Sequence, residues 1–536
     1  MADVIHGTDR RPLVVGRTLF EYADEVAAAV PMSCRRTGRC RECVVEVRQG
    51  AAALSPRTEP EAYLPGTFRL ACQAAVEGLS TDIEFSIIRR RMRILGPSGE
   101  PPKRIDPVVT ADRDAVRYNG QPIDLRRAHV LGLAIDIGTT TVVFQIIDLL
   151  TGAAIAGGAL ENPQRFGGSD VMTRISYEKD HPGALRAALR RSLNHELRDT
   201  YREIGIDRHE VYEAMIVANS TMRDIFFDLD VSPMGEWPYR SVTEIAARSG
   251  AAESTWLRRR AHEVGLLMHP YGRVVGAPLI ASHVGADTAA DLTAVDFEAD
   301  GGIRMLIDIG TNTEVVVTDG TRYLAASCPA GPAFEGGLVR FGMPGAEGAI
   351  EAIRLEGDRF ACTTIGGGEP AGICGSGLVD LLAELGRAGW MDPEGRFQDG
   401  VGEFMVAPEQ SISFSRSDAS LLAQAKAANA CGQRILLRRL GVAASEVDHV
   451  YLAGGFANAV DVANAIAIGL LAPARVERVE RVGNAALRGA VGLLLSARRR
   501  DALDSLIGRI EHVELETEAD FFELFVEGCR FVPIDA

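Results

Sequence analysis

The sequence predicts a multidomain chain of mixed α/β and α+β class: a small β-rich unit, a connecting segment, and a large body of two duplicated lobes. Three observations carry this. The phrase Ile135-Asp136-Ile137-Gly138-Thr139-Thr140-Thr141-Val142-Val143 returns as Ile307-Asp308-Ile309-Gly310-Thr311-Asn312-Thr313-Glu314-Val315, with seven of nine positions identical. Each copy is flanked on both sides by apolar runs, so each reads as strand, tight turn, strand. A repeat of this kind dictates architecture: two similar half-domains, each offering one turn to a shared cleft. Finally, four of the nine cysteines, Cys34, Cys40, Cys43 and Cys72, are gathered near the N-terminus.

Bulk composition sets the limits. A length of 536 residues and 46% hydrophobic content are those of a globular chain of several domains. A net charge of −16 argues against nucleic acid and against an anionic membrane surface as partners. Residues 1–11 carry no apolar core of a signal peptide, and no run of about 18 apolar residues marks a membrane span. A cytoplasmic location is expected. Nine cysteines in a chain of this length do not make a disulfide framework.

The repeated turn has specific chemistry. Gly138 and Gly310 allow backbone angles closed to other residues. Thr139, Thr140, Thr141, Thr311, Asn312 and Thr313 offer clustered donors suited to phosphate oxygens. Asp136 and Asp308 place carboxylates at strand ends, where a hydrated Mg²⁺ carried by polyphosphate is accommodated. The G-x-x-x-x-G-K-[ST] pattern is absent, so this is not a P-loop. The two turns resemble the phosphate-1 and phosphate-2 motifs of the superfamily of acetate and sugar kinases, heat-shock seventy-kilodalton chaperones and actin. Val450-Tyr451-Leu452-Ala453-Gly454-Gly455-Phe456-Ala457-Asn458 resembles that superfamily's adenosine motif. The resemblance implies an actin-like ATPase fold with ATP between its lobes, Gly454 and Gly455 lying against the nucleoside.

Along the chain, residues 1–85 form the first unit. A short helix is expected over residues 18–30, with Leu19, Tyr22, Ala23 and Val26 on one face. The cysteines follow as C-x5-C-x2-C, then 28 residues, then Cys72. Three thiolates on one loop and a distant fourth is how plant-type ferredoxins hold a [2Fe–2S] cluster, there with C-x4-C-x2-C; the longer loop resembles the adrenodoxin-like branch. Zinc is the competing reading, although zinc sites usually pair C-x2-C with a second C-x2-C, which is missing. The loop is basic (Arg35, Arg36, Arg39, Arg41), which reads as solubility, as a docking collar for an acidic partner, or as a charge field that raises the cluster potential. Residues 86–130 read as a Gly/Pro-rich linker, with a short strand or two between 105 and 125.

Residues 131–298 form the first lobe, with helical patterning over 183–204 and a buried strand over 214–218. Asp287 is a candidate for ordering an attacking water, set against a plain helix N-cap. Residues 299–536 form the second lobe and C-terminal region. There Gly372-Ile373-Cys374-Gly375-Ser376-Gly377 enters a helix, and Gly375 and Ser376 are candidate phosphate contacts at its N-terminus, Ser376 also as N-cap. Cys328 and Cys374 read as packing rather than redox thiols. Residues 421–439 read as a helix ending at Gly441. On it, Lys426 is either a nucleotide contact or, more simply, a surface salt bridge. An acidic amphipathic stretch spans 514–527.

The order of parts, with Glu161-Asn162-Pro163-Gln164, Gly285-Ala286-Asp287, Gly331-Pro332-Ala333-Phe334-Glu335-Gly336 and the motifs above, resembles the reductive activators of corrinoid proteins. A β-grasp ferredoxin-like domain is thereby implied ahead of the ATPase lobes. So are transfer of one electron from a [2Fe–2S] cluster to Co(II) of an inactivated corrinoid protein, giving Co(I), and coupling to Mg²⁺ and ATP. The partners implied are the corrinoid-binding protein of a methyltransferase system and a low-potential electron donor; a homodimer is left open. Relatives in that family are expected to carry a larger middle domain, whereas only about 60 residues separate Cys72 from Asp136 here. The competing functions are an ATP-dependent redox-sensing or partner-binding module, an activator of an acyl-CoA dehydratase-like enzyme and, least supported, a small-molecule kinase.

Overall fold

Five short strands open the chain and form one mixed sheet, in the order Asp9–Pro12, Asp3–His6, Ile83–Ile87, Val44–Gln49, Phe68–Leu70. Asp3–His6 and Ile83–Ile87 run parallel and the other neighbours antiparallel. In this computed structural model the described residues are 2–6, 9–26, 30, 36–39, 43–62, 64, 66–87, 104–168, 170–298, 301–455, 457–472 and 475–534. The helix Leu19–Glu25 begins at a reciprocal cap: the Thr18 hydroxyl accepts from Glu21 N, and the Glu21 carboxylate accepts from Thr18 N. It is shorter than the expected 18–30, with Val26 as its C-cap; residues 27–29 lie outside the described residues. Leu19, Tyr22 and Ala23 are fully buried against Val45, Val47, Leu70 and Phe85. One helix laid over a mixed sheet is the β-grasp arrangement.

The expected linker is corrected by the structure. Residues 88–103 lie outside the described residues, but Val109–Ala111, Ala115–Tyr118 and Gln121–Leu125 form an antiparallel three-stranded sheet. Val109 and Val116 are fully buried in one core with Val130, Tyr212 and Leu493, and Tyr212 Oη donates to Asp124 Oδ2 at 3.0 Å. Strands this short show little alternation in sequence, and the face they cover comes from segments far along the chain.

The two lobes repeat one topology. The first sheet runs Ala154–Glu161, Thr141–Asp148, Leu131–Ile137, Val211–Ala218, Arg273–Gly276, Leu257–Arg260; the second runs Tyr323–Cys328, Thr313–Thr318, Arg304–Ile309, His449–Ala453, Val479–Gly483, with Ile510–His512 beside its first strand. In each, an antiparallel pair contains the repeated turn, and a parallel strand follows on the other side. Strands in the middle are buried on both faces: Val211–Ala218 is buried at all eight positions, Glu213 being the one charged residue among them. The helix Ala184–Ile204 covers the first sheet with Leu185, Leu189, Leu193, Leu197 and Tyr201, one residue per turn. Arg416–Leu440 covers the second and ends at Gly441 in the left-handed region.

The C-terminal region does not stay with the second lobe. Helices Ala485–Leu495 and Ala497–Ile507 return to the first, where Leu487, Leu493 and Leu494 join Ala134, Met215 and Ala290 in one core. Arg500 forms a buried bidentate pair with Glu213 at 3.0 Å for both bonds, Trp256 Nε1 donates to Asp504 at 2.6 Å, and Asp106 receives Ser496 and Arg498. Ile510–His512 then rejoins the second sheet. Residues 299–536 are thus one stretch of sequence serving two bodies.

Candidate functional site

Both repeated turns open into the cleft between the sheets, and each is closed by a backbone bond, Gly138 N to Thr141 O at 2.9 Å and Gly310 N to Asn312 O at 3.1 Å. The first turn is held from behind. Asn162 Nδ2 donates to Gly138 O at 2.8 Å, Arg174 Nη2 to Thr139 O at 2.6 Å, and Asn219 Nδ2 to the Thr139 hydroxyl at 3.0 Å. Arg174 is wholly buried, so its guanidinium is a structural clamp on the turn carbonyls. The Glu161-Asn162-Pro163-Gln164 phrase therefore positions the turn from outside the cleft.

Across the cleft, Gly454 takes φ +111°, and a Cβ there would stand 2.1 Å from Ile309 O. Only glycine lets this loop lie against the end of the second turn's strand. Gly455 next to it is exposed with nothing within 4 Å of a built Cβ, so backbone is bare to the cleft where a flat ring system would lie.

The floor is acidic. Asp136, Asp287 and Asp308 keep part of their surface open, while Asp291 and Glu314 are buried behind them. Burial, with Asp287 and Asp308 nearby, pushes Asp136 up to about 7 against a 2.8 Å bond from Asn484 Nδ2. Burial and the charges of Asp287 and Glu335 push Asp308 up to about 7, and burial takes Asp287 to about 6. Asp291 and Glu314 are likewise pushed well above the ordinary carboxylate range, by burial and then by Asp287 and Asp308. Both Asp291 carboxylate oxygens and the Thr313 hydroxyl are buried with no donor or acceptor that an ionised site would supply; Asp291 bonds Asp308 only when one of the two holds a proton. Massed carboxylates of this kind suit a divalent cation. Among the described residues, however, no three His, Cys, Asp or Glu side chains stand close enough to hold a bare ion, so a cation here brings water or phosphate oxygens of its own.

Several expected residues fall elsewhere. The N-cap beside Asp287 is Gly285, and Asp287 sits in the first turn of Ala286–Ala294, accepting from Thr288 N at 2.8 Å. Ser376 is not an N-cap: Cys374 holds that position, and the buried Ser376 hydroxyl donates to Glu351 O at 2.8 Å, seating the helix on a strand. Gly375 is likewise buried at that helix start. Lys426 neither reaches the cleft nor forms a surface ion pair; it is buried, donates to Arg530 O at 2.6 Å and anchors the C-terminal segment. Cys328 and Cys374 are buried packing thiols.

Cys34 and Cys40 lie outside the described residues. Cys43 and Cys72 come together from different strands' ends, with Sγ atoms 3.3 Å apart. Two thiolates at ~2.3 Å from one tetrahedral metal span ~3.8 Å, so this pair needs little movement to share an ion. The bond from Cys43 draws the Cys72 thiol down to about 6, with help from Gln73 Nε2 at 3.4 Å and the Gly38 N–H and against burial. A thiol ready to ionise near neutrality is a ready ligand. Gly38 is held close, since a Cβ there would be 3.0 Å from Pro60. Arg36 stays exposed but is paired with Asp24 at 2.7 Å and stacked over Phe20, so that member of the basic collar is engaged within the domain.

Comparison with known proteins agrees with these parts. Residues 5–77 match the 2Fe-2S iron-sulfur cluster binding domain, residues 131–300 the RACo middle region, and residues 302–536 the C-terminal domain of RACo, the ASKHA domain. The corrinoid activation enzyme RamQ of Eubacterium limosum is 31% identical over 437 residues, covering 76% of this chain and 72% of its own. The chain belongs to the corrinoid-protein reductive activators. A second relative, the [Co(II) methylated amine-specific corrinoid protein] reductase of Methanosarcina barkeri, is 22% identical over 74% of this activator and 76% of its own length. The solved reductive activator for corrinoid, iron-sulfur protein aligns with a TM-score of 0.71 at 26% identity, over 100% of this activator and 99% of that chain. That coverage overturns the expected missing middle domain, because the family's middle region is the first lobe itself. Among the described residues no helix is long and apolar enough to cross a membrane.

Sequence reading missed three of the activator's cleft residues. Asp291 lies one turn beyond Asp287, and carboxylates at i and i+4 on a helix share a face, so Asp287-x3-Asp291 was a usable signal. Glu335 lay within the Gly331–Gly336 motif but was given no role, and Asn484 gave no signal. The raised carboxyls predict a pH dependence. Below about 7, Asp136 and Asp308 carry protons that a cation must displace, and above it they do not. Affinity for Mg-ATP, measured by titration calorimetry, is expected to strengthen as pH rises from 6 to 8, with protons released to buffer at the lower end.

Proposed function

We propose that this activator delivers one electron to Co(II) of a corrinoid-binding protein of a methyltransferase system, yielding Co(I), in a reaction driven by Mg-ATP. The observation that carries the reading is the joining, in a single chain that aligns end to end with a corrinoid-protein activator, of a 2Fe-2S domain and a duplicated acidic cleft. A [2Fe–2S] cluster on Cys34, Cys40, Cys43 and Cys72 supplies the one-electron carrier. In the cleft, Thr139, Thr140, Thr141, Thr311, Asn312 and Thr313 line the phosphates; Asp136, Asp287 and Asp308 face the hydrated Mg²⁺; Gly454 and Gly455 flank the nucleoside. Gly375 and Ser376 act through packing.

An uphill electron transfer would give the ATP a purpose. Each ~59 mV in a one-electron transfer is a factor of ten, so a gap of ~200 mV corresponds to roughly 4–5 kcal/mol. Binding or hydrolysis of ATP offsets this if lobe closure changes the grip on the partner. The test follows the partner's cobalt. Chain reduced by a low-potential donor should convert Co(II) to Co(I), seen in the visible spectrum, only when Mg-ATP is present. Full conversion without nucleotide would remove ATP from the reaction, and no conversion with it would remove the corrinoid.

A further inference from the structure

The nucleotide reading leaves Glu335 without a role. Glu335 ends the short helix Pro332–Glu335, between Gly331 at φ +75° and Gly336 at φ +84°, and a Cβ on Gly336 would stand 2.4 Å from the Met343 backbone. Its place is therefore fixed by close backbone contact. A single oxygen, Oε2, accepts from the Thr140 hydroxyl of the first turn at 2.9 Å and from the Thr311 hydroxyl of the second at 2.5 Å. Glu335 is thereby bonded to both phosphate turns at once. Glu335 Oε1 lies 3.8 Å from a Cβ built on Gly310, which places it over the second turn's backbone, and the side chain is half-buried at the cleft.

An oxygen that receives one hydroxyl from each lobe stands where an oxygen of a terminal phosphate is expected. When a nucleotide takes those hydroxyls, Glu335 gives up two donors and remains beside the phosphorus. Asp136 instead receives the Asn484 amide and Asp287 the Thr288 N–H, and the nucleotide reading sets both, with Asp308, towards the hydrated cation. We infer that Glu335 is the general base of ATP hydrolysis, an inference that rests on the nucleotide reading above. In this step a water oxygen bonds to the γ-phosphorus, the bond from that phosphorus to the β–γ bridging oxygen breaks, and its electron pair leaves on ADP. The water proton passes to the Glu335 carboxylate, and the products are ADP and phosphate.

Glu335→Gln and Glu335→Asp in the full chain test it, with ATP affinity by equilibrium dialysis and hydrolysis by single turnover. A positioned base contributes ~10²–10⁴-fold to rate. Glu335→Gln should hold ATP within about threefold of the parent affinity while hydrolysis falls at least ~100-fold, and Glu335→Asp should fall between the two. Hydrolysis by Glu335→Gln at near the parent rate would leave Glu335 as a clasp between empty lobes and overturn the inference, as would loss of ATP binding in both variants. A parent chain that bound no ATP would instead overturn the nucleotide reading beneath it.

Discussion

Replacing Cys72 with serine is expected to abolish electron transfer to cobalt while leaving ATP binding in place. Cys72 is buried, sits 3.3 Å from Cys43 and carries the thiol drawn down to about 6. Around metal sites, changes to partners of the ligands already cost ~10–100-fold, so loss of a direct ligand should exceed that. The damage stays local, because the buried core of the N-terminal sheet shares no residue with the cores of either lobe. The loop before Cys72 is also braced independently: Arg69 pairs with the buried Glu61 at 2.7 Å, and Glu61 accepts from Leu70 N at 3.0 Å. Iron and sulfide analysis, the visible spectrum and ATP dialysis on the purified variant check the expectation. Retention of two irons and two sulfides with parent transfer rates would show that Cys72 is not a ligand.

Asp308→Ala should cut ATP turnover by at least ~100-fold, leave the cluster spectrum unchanged, and make the nucleotide-free protein no less stable. The last part follows from linkage. Asp308 holds its proton up to about 7 in the folded chain against 3.8 for the unperturbed group, so the folded state binds more protons than the unfolded one between those values. Its contribution to stability is present below pH 4 and is lost as pH rises towards 7. Removing it relieves repulsion from Asp287 and Glu335, and the relief should be larger at pH 8 than at pH 5. Thermal melts of parent and variant at both pH values, beside phosphate release, test this. A variant that melts lower than the parent at pH 8 would mark Asp308 as a structural residue.

Much of the fold was legible because it was written twice. The repeat fixed the two lobes, and matching strand orders followed from it. The cleft glycines were legible for the same reason, since a residue without a side chain marks the place where backbones meet. Other features depended on distant partners. Glu335 lies 195 positions from Thr140 and Asn484 lies 348 from Asp136, so no local pattern carries either bond. A strand or two is legible between 105 and 125, but not that they belong to a core, which the helices of 485–507 complete. Lys426 was misjudged because a lysine on a helix is usually solvated, and here the covering segment arrives about a hundred residues later.

That late return of the C-terminal helices also governs mechanics. The chain passes from one lobe to the other near residue 300, goes back near 484 and crosses again near 508. Bodies tied at one point can swivel freely, whereas three ties restrict how one can turn against the other. Asn484 sits at one of those crossings, and its amide donates to Asp136 at the end of the first lobe's turn strand, so the return of the chain and the acidic floor are tied by one bond.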